Sequence, residues 1–153
     1  MKLSEFLDEK NIVPDLKARD KIGVLREMAE AVAVAESTID TDELVKVLVE
    51  RERLGTTGIG DGVAIPHGKL PGLDRPIVSF ARCAHDLDFE SMDGKPVHLF
   101  FLLVAPENCS GIHLQVLARI ARILKNTSLR QRLMEGTSTQ ELYEAIVAAD
   151  EET

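Results

Sequence analysis

The sequence predicts an α/β protein, a three-layer sandwich in which a small mixed β-sheet is flanked by helices on both faces. Three observations carry this reading. Helical periodicity with recognisable caps occupies both ends of the chain, from Asp20 to Gly55 and from about Ile112 onward. Between them lie at least three short segments of strand character, separated by Gly- and Pro-containing turns. One of these, Leu99 to Ala105, is a continuous apolar run, as expected of a central strand covered on both faces.

Taken in order, Leu3 to Glu9 reads as a short amphipathic helix and "NIVPDL" as an extended connection broken at Pro14. Asp20 caps a helix reaching about Ala35, with Ile22, Leu25, Met28, Ala29 and Val32 at helical spacing. Asp40 and Glu43 form a capping-box pattern for a second helix through Leu44, Val47 and Leu48, stopped at Gly55. A glycine-rich stretch follows, with a short strand at Val63–Ile65. "RPIVSFARCA" alternates as a strand, and "DGKP" turns the chain into "VHLFFLLVAP". A helix from Ile112 to Lys125, a shorter one after Thr127 or Ser128, and a last one opened by Ser138 with Glu141 complete the chain. The acidic end, "AADEET", reads as a frayed tail. The pattern leaves the strand order open.

A chain of 153 residues is expected to form one domain, long enough to bury a core without disulfides or a metal. The net charge of −8 argues against nonspecific binding of nucleic acid or an anionic membrane, whose phosphates it would repel. The two cysteines, Cys83 and Cys109, fit neither a disulfide framework nor a zinc pattern and read as reduced, structural thiols of a cytosolic protein. The N-terminus lacks a signal-peptide apolar stretch. The apolar run at Leu99–Ala105 is about threefold too short to span a bilayer. A cytoplasmic protein, not embedded in a membrane, is therefore expected.

The four histidines differ in what their surroundings ask of them. His85, in "AHDLDF", reads as a solvated residue at a strand end, and His98 as a partly buried residue satisfied by one hydrogen bond. His113 falls in the first turn of a helix, on the face shared by Leu117, Ile120 and Leu124. Two roles fit it equally: a half-buried structural histidine, or a donor beside the positive helix end that helps bind an anion. His67 follows Pro66 and precedes Gly68, so it is expected at a strand end with little side-chain cover. There it is either a turn histidine or an accessible nucleophile, its second nitrogen oriented by a backbone carbonyl. Arg51, in "RER", suits the negative end of its helix and alternatively swings over the glycine-rich loop as an anion ligand.

Other site classes fit less well. There is no P-loop, and the glycines at 58, 60 and 62 precede a strand, whereas a dinucleotide fingerprint lies between strand and helix. No Gly-x-Ser-x-Gly elbow is present. Zinc held by His67, His113 and a carboxylate lacks a supporting His or Cys pair.

The stretch "ERLGTTGIGDGVAIPHG", Glu52 to Gly68, resembles the signature of the fructose/mannitol/nitrogen-type EIIA proteins of the bacterial phosphoenolpyruvate-dependent phosphotransferase system. Glu52, Ile59-Gly60, Val63-Ala64-Ile65-Pro66-His67 and Gly68 fill each place of that pattern. "MDGKPVHLFFLLVAPE" and "HLQVLARIARILKN" are similar to the family's central strand and second-histidine helix, and "LYEAI" to its end. The resemblance covers nearly the whole chain and is nearer to the nitrogen-regulatory branch, in "RERLGTTGIGDG" and "PHGKL".

The resemblance implies a single EIIA type 2 domain over residues 1–153, expected to stand without a fused EIIB or membrane EIIC. It implies that Nε2 of His67 accepts a phosphoryl group from the phosphohistidine of HPr or its nitrogen-branch paralogue. His113 and Arg51 would steady that group, with Gly58, Gly60 and Gly68 forming the loop around it. No cofactor or metal is implied, because His113 and Arg51 supply donors and positive charge. The implied role is a regulatory phosphocarrier acting on a transporter or sensor kinase; the alternative is a sugar-specific EIIA passing phosphate to an EIIB. Asp61 stands where the family more often has Asn; it suits the turn equally, but a carboxylate facing His67 would oppose a phosphoryl dianion.

Overall fold

A computed structural model describes residues 1–108 and 110–152. Cys109 and the terminal Thr153 lie outside the described residues. After a 3-10 turn at Leu3–Glu5 come strand β1 (Leu7–Val13) and helices α1 (Lys21–Ala35) and α2 (Thr41–Arg53). Strands β2 (Gly58–Gly60), β3 (Val63–Ala64), β4 (His67–Leu70), β5 (Ile77–Arg82) and β6 (Leu99–Pro106) follow, then α3 (Ser110–Ile123), α4 (Thr127–Glu135) and α5 (Thr139–Glu151).

The six strands form one mixed sheet in the order β1-β5-β6-β3-β2, with β4 also beside β6. β6 is its spine, antiparallel to β5 and parallel to both β3 and β4. Every residue of β6 is buried, and the side-chain period of two divides them between faces. Phe100, Leu102 and Val104 join α1 and α2 residues such as Leu25, Met28 and Leu48 in one core. Leu99, Phe101 and Leu103 join Val116, Ile120 and Leu142 of α3 and α5 in the other. This is the expected sandwich.

The N-caps form where the sequence indicates, though among the described residues neither expected capping box gains its reciprocal bond to the N-cap N–H. Asp20 accepts from the Gly23 N–H at 2.7 Å and Asp40 from the Glu43 N–H at 3.0 Å. Ser138 accepts from the Glu141 N–H at 3.1 Å, while the Glu141 carboxylate reaches back to Thr137. Asn126, not Thr127 or Ser128, caps α4. Ile22, expected on the buried stripe of α1, is exposed, and Val24 takes a place in the core instead.

Two expectations at the ends fail. Leu3 to Glu9 is no helix: after the 3-10 turn the chain becomes β1, parallel to β5, and "NIV" is the end of that strand. A register irregularity between Leu7 and Ile12 hides the strand, because the polar residues 8–10 between those two buried anchors break the alternation. Nor does the tail fray from Ala148: α5 runs on to Glu151, with Asp150 buried and accepting from Arg119 Nε at 2.7 Å and from the Leu3 N–H at 2.7 Å. One carboxylate thus ties the last helix to the first turn.

β4 and α2 approach closely. An added Cβ at Gly68 would lie 2.5 Å from Cγ1 of Val47, a β-branched side chain with little rotamer freedom in a helix. Gly68→Ala is therefore expected to destabilise the protein by roughly 1–3 kcal/mol in urea unfolding. Val47→Ala introduced with it should recover part of that loss; a Gly68→Ala variant of unchanged stability would show that the packing is looser.

Candidate functional site

His67 opens β4, and its Cα pairs with Leu103 of the spine. It thus stands at a strand end, as expected; Pro66 interrupts the ladder, so β3 and β4 run in succession along one side of β6. The Pro66 carbonyl keeps the chain in step by accepting from the Leu103 N–H at 3.0 Å. Beyond β4 no further strand pairs among the described residues, so the ring stands at an open edge.

Alternation within β4 sets the direction of each side chain. Leu70 belongs to the core against α1 and α2, and Gly68 meets Val47 on that same side. His67 and Lys69 consequently face the α3 side. There His113, in the first turn of α3, brings its ring centroid to 5.4 Å from that of His67 with the planes tilted by 57°. His113 is 8% exposed, and its Nδ1 is buried with no hydrogen-bond partner among the described residues. The ring points inward as its helical position predicts, with one buried nitrogen left unpaired.

Arg51 comes from the last turn of α2, its guanidinium donating to the Gly55 carbonyl at 3.0 Å. Arg51, Leu54, His67, Gly68, Lys69 and His113 line one shallow cavity of about 500 Å³, with Val47 and Glu50 on its α2 side. Of the residues singled out in the sequence, the fold therefore gathers His67, His113, Arg51 and Gly68. Gly58 and Gly60 do not line this cavity. Gly58 packs on Ser91, where a Cβ would come within 2.9 Å of the backbone, and Gly60 adopts φ +101° beside Asp93. Gly68 clears room for Val47, not for the imidazole.

The His67 ring is oriented from behind. Its Nδ1 lies 2.8 Å from the Ile65 carbonyl oxygen, which can only accept, so Nδ1 carries the proton and Nε2 keeps its lone pair. Burial is the main cause holding the His67 pKa below 6.5, with Arg51 adding to it; the Ile65 bond and Glu52 oppose. Burial likewise depresses His113, helped by the charges of His67, Lys69 and Arg51. Both rings are thus biased toward the neutral form at neutral pH.

Next to Arg51 in the chain is Glu52, which in the sequence stands out only as a signature position. Glu52 is buried, accepts from the Thr57 N–H and the Thr57 hydroxyl, and pairs with Lys21 Nζ at 3.0 Å. It fastens the end of α2 to the glycine-rich loop and to α1. An acid in the last turn of a helix opposes the dipole; that mismatch was a legible hint that Glu52 has partners elsewhere. The other histidines stay outside the site. His98 bonds the Cys83 carbonyl at 2.9 Å, as expected, and half-buried His85 bonds the Ala18 carbonyl at 3.1 Å instead of facing solvent. Cys83 is buried and unbridged, with burial pushing its thiol pKa up. Asp61, at φ +57°, lines a different cavity with His98 and Arg130.

Residues 5–149 match the family described as phosphoenolpyruvate-dependent sugar phosphotransferase system, EIIA 2. The chain belongs to this EIIA type 2 family. A nitrogen regulatory protein of Bradyrhizobium diazoefficiens is 44% identical over 147 residues, covering 95% of each chain. The crystal structure of nitrogen regulatory protein IIA-Ntr from Neisseria meningitidis superposes with a TM-score of 0.88 at 35% identity, covering 94% of this chain and 98% of that one. The fructose-specific EIIABC component of Bacillus subtilis is 32% identical over 95% of this chain and 23% of its own length. The mixed sheet described above is the fold shared with that Neisseria structure. Among the described residues no helix is long and apolar enough to cross a membrane.

The depressed histidines have a measurable sign. Between pH 6.5 and the lower folded midpoints, the unfolded chain binds protons that the folded site refuses. Stability from the two neutral rings is therefore present above pH 6.5 and lost as pH falls through those midpoints. NMR titration of the ring protons should give midpoints below 6.5 for both His67 and His113. Arg51→Gln should raise both. Midpoints at or above 6.5 would contradict the burial and charge seen here.

Proposed function

We propose that this EIIA family member is a regulatory phosphocarrier that takes a phosphoryl group onto Nε2 of His67. The observation that carries the reading is the 2.8 Å contact between Nδ1 of His67 and the Ile65 carbonyl. It leaves the nucleophilic nitrogen as the unprotonated one, in a cavity shared with Arg51 and His113. The donor is the phosphohistidine of HPr or its nitrogen-branch paralogue. As the Nε2 lone pair forms the new N–P bond, the donor N–P bond breaks and its electron pair returns to the donor imidazole. The proton stays on Nδ1, donated to the Ile65 carbonyl, so His67 needs no general base.

Catalysis of such a transfer is positioning plus neutralisation of phosphoryl charge. Arg51 supplies a fixed positive charge, and neutral His113 supplies an N–H donor at the first turn of α3, where the helix dipole also favours an anion. Docking of the carrier is supported by apolar side chains around the cavity: Leu54 is 84% exposed and Leu114, next to His113, 65%. Their small extent suits a transient complex. The 44% identity to a nitrogen regulatory protein favours regulation over sugar uptake, with a cytoplasmic transporter domain or sensor kinase reading the phosphorylation state.

Incubation with phosphoenolpyruvate, enzyme I and the carrier should add one acid-labile, base-stable phosphoryl group. His67→Ala should abolish the mass shift. His113→Ala should still bind the carrier but transfer roughly a hundredfold more slowly. Normal transfer in His113→Ala removes its donor role, and phosphate chased onto an EIIB and then a sugar would favour the uptake alternative.

A further inference from the structure

The cavity beside His67 holds a cation that the scheme above leaves unused. Lys69 follows His67 by two residues on β4, so both side chains emerge on the same face, roughly 6.6 Å apart along the strand. That separation is within the reach of a lysine side chain. Lys69 is half-buried and lines the same cavity as His67, His113 and Arg51.

Its surroundings leave the ammonium without a counter-charge. Lys21 and Arg119, the other shielded cations with a defined carboxylate, are matched to buried Glu52 and Asp150. Lys69 makes no hydrogen bond or ion pair among the described residues, and Arg51 reaches only a backbone carbonyl. Glu50, the acid on the rim, is exposed and bridges to neither. A chain of net charge −8 thus leaves two cations unmatched around one depression. Partial burial of an unpaired charge is costly, and an entering anion relieves that cost. The Lys69 charge is already felt by the His113 ring, whose protonation it opposes.

We propose that Lys69 is the second cation of the anion site, its ammonium contacting a non-bridging oxygen of the phosphoryl group carried on Nε2 of His67. This rests on the phosphocarrier reading of His67 and adds a residue to it. Arg51 then approaches the group from α2, Lys69 from β4 and His113 from α3, so each wall of the cavity contributes one donor. A lysine is suited to this place because it acts as a mobile point charge and does not demand the planar, two-pronged geometry of arginine.

The test compares Lys69→Gln and Lys69→Arg with the unaltered protein, each shown folded by thermal unfolding and phosphorylated by phosphoenolpyruvate, enzyme I and the carrier. Two quantities are read: the transfer rate, and the pH midpoint of the phosphoryl group by ³¹P NMR. An ammonium in contact favours the dianion, so its loss in Lys69→Gln should raise the midpoint by roughly half a unit or more. Transfer should slow about tenfold or more in the same variant, and Lys69→Arg should restore both. An unmoved midpoint overturns the proposal, whether or not the rate falls, because a rate effect alone places Lys69 in carrier docking. If the unaltered protein itself takes no phosphoryl group, the His67 reading fails first and Lys69 falls with it.

Discussion

The close approach of α2 to β4 at Gly68 is the constraint on which the rest of the site depends. With no side chain at this position, Val47 settles directly on the strand. The last turn of α2 is thereby carried to the sheet edge where His67 begins β4. Without that approach Arg51 would lie a side chain's thickness farther away. Pro66 completes the placement, interrupting the ladder along β6 between β3 and β4.

Around this contact the charges are sorted by function. The carboxylates that face inward are consumed in structure: Glu52 holds Thr57 and Lys21, and Asp150 holds Arg119 and the first turn of the chain. The cations at the cavity have no such partners. Burial and positive neighbours bias both imidazoles toward neutrality. Two rings biased toward neutrality and two unmatched cations therefore share one depression of an acidic protein.

Much of this was legible in the sequence where the signal is local. The caps at Asp20, Asp40 and Ser138 act over three residues, and each forms as read. The two-faced burial of Leu99–Pro106 follows from its unbroken apolar run. His67 stood out because proline and glycine flank it, and His113 because its helical phase points inward. β1 was missed because a polar irregularity splits its two anchors. The tail was misread because the partners of Asp150 lie 31 and 147 residues away. Gly58 and Gly60 are indistinguishable from Gly68 in the sequence, yet only Gly68 lines the cavity, since sequence shows where a side chain is absent but not what fills the space.

The sequence by itself determined the class of fold, the ends of most helices, the central strand and the family signature, with a histidine between proline and glycine. These depend on spacing, capping and φ restrictions within a few residues. Only the tertiary structure decided that His113, 46 positions further along the chain, meets His67 ring to ring at 5.4 Å. It alone also assigned the Nδ1 proton, by setting a carbonyl behind it, and left Lys69 unmatched beside both rings. The physical reason is that two residues can be read as neighbours from sequence only across one turn of helix or one step of strand. What faces them across a sheet edge is set by the packing of elements far apart in the chain.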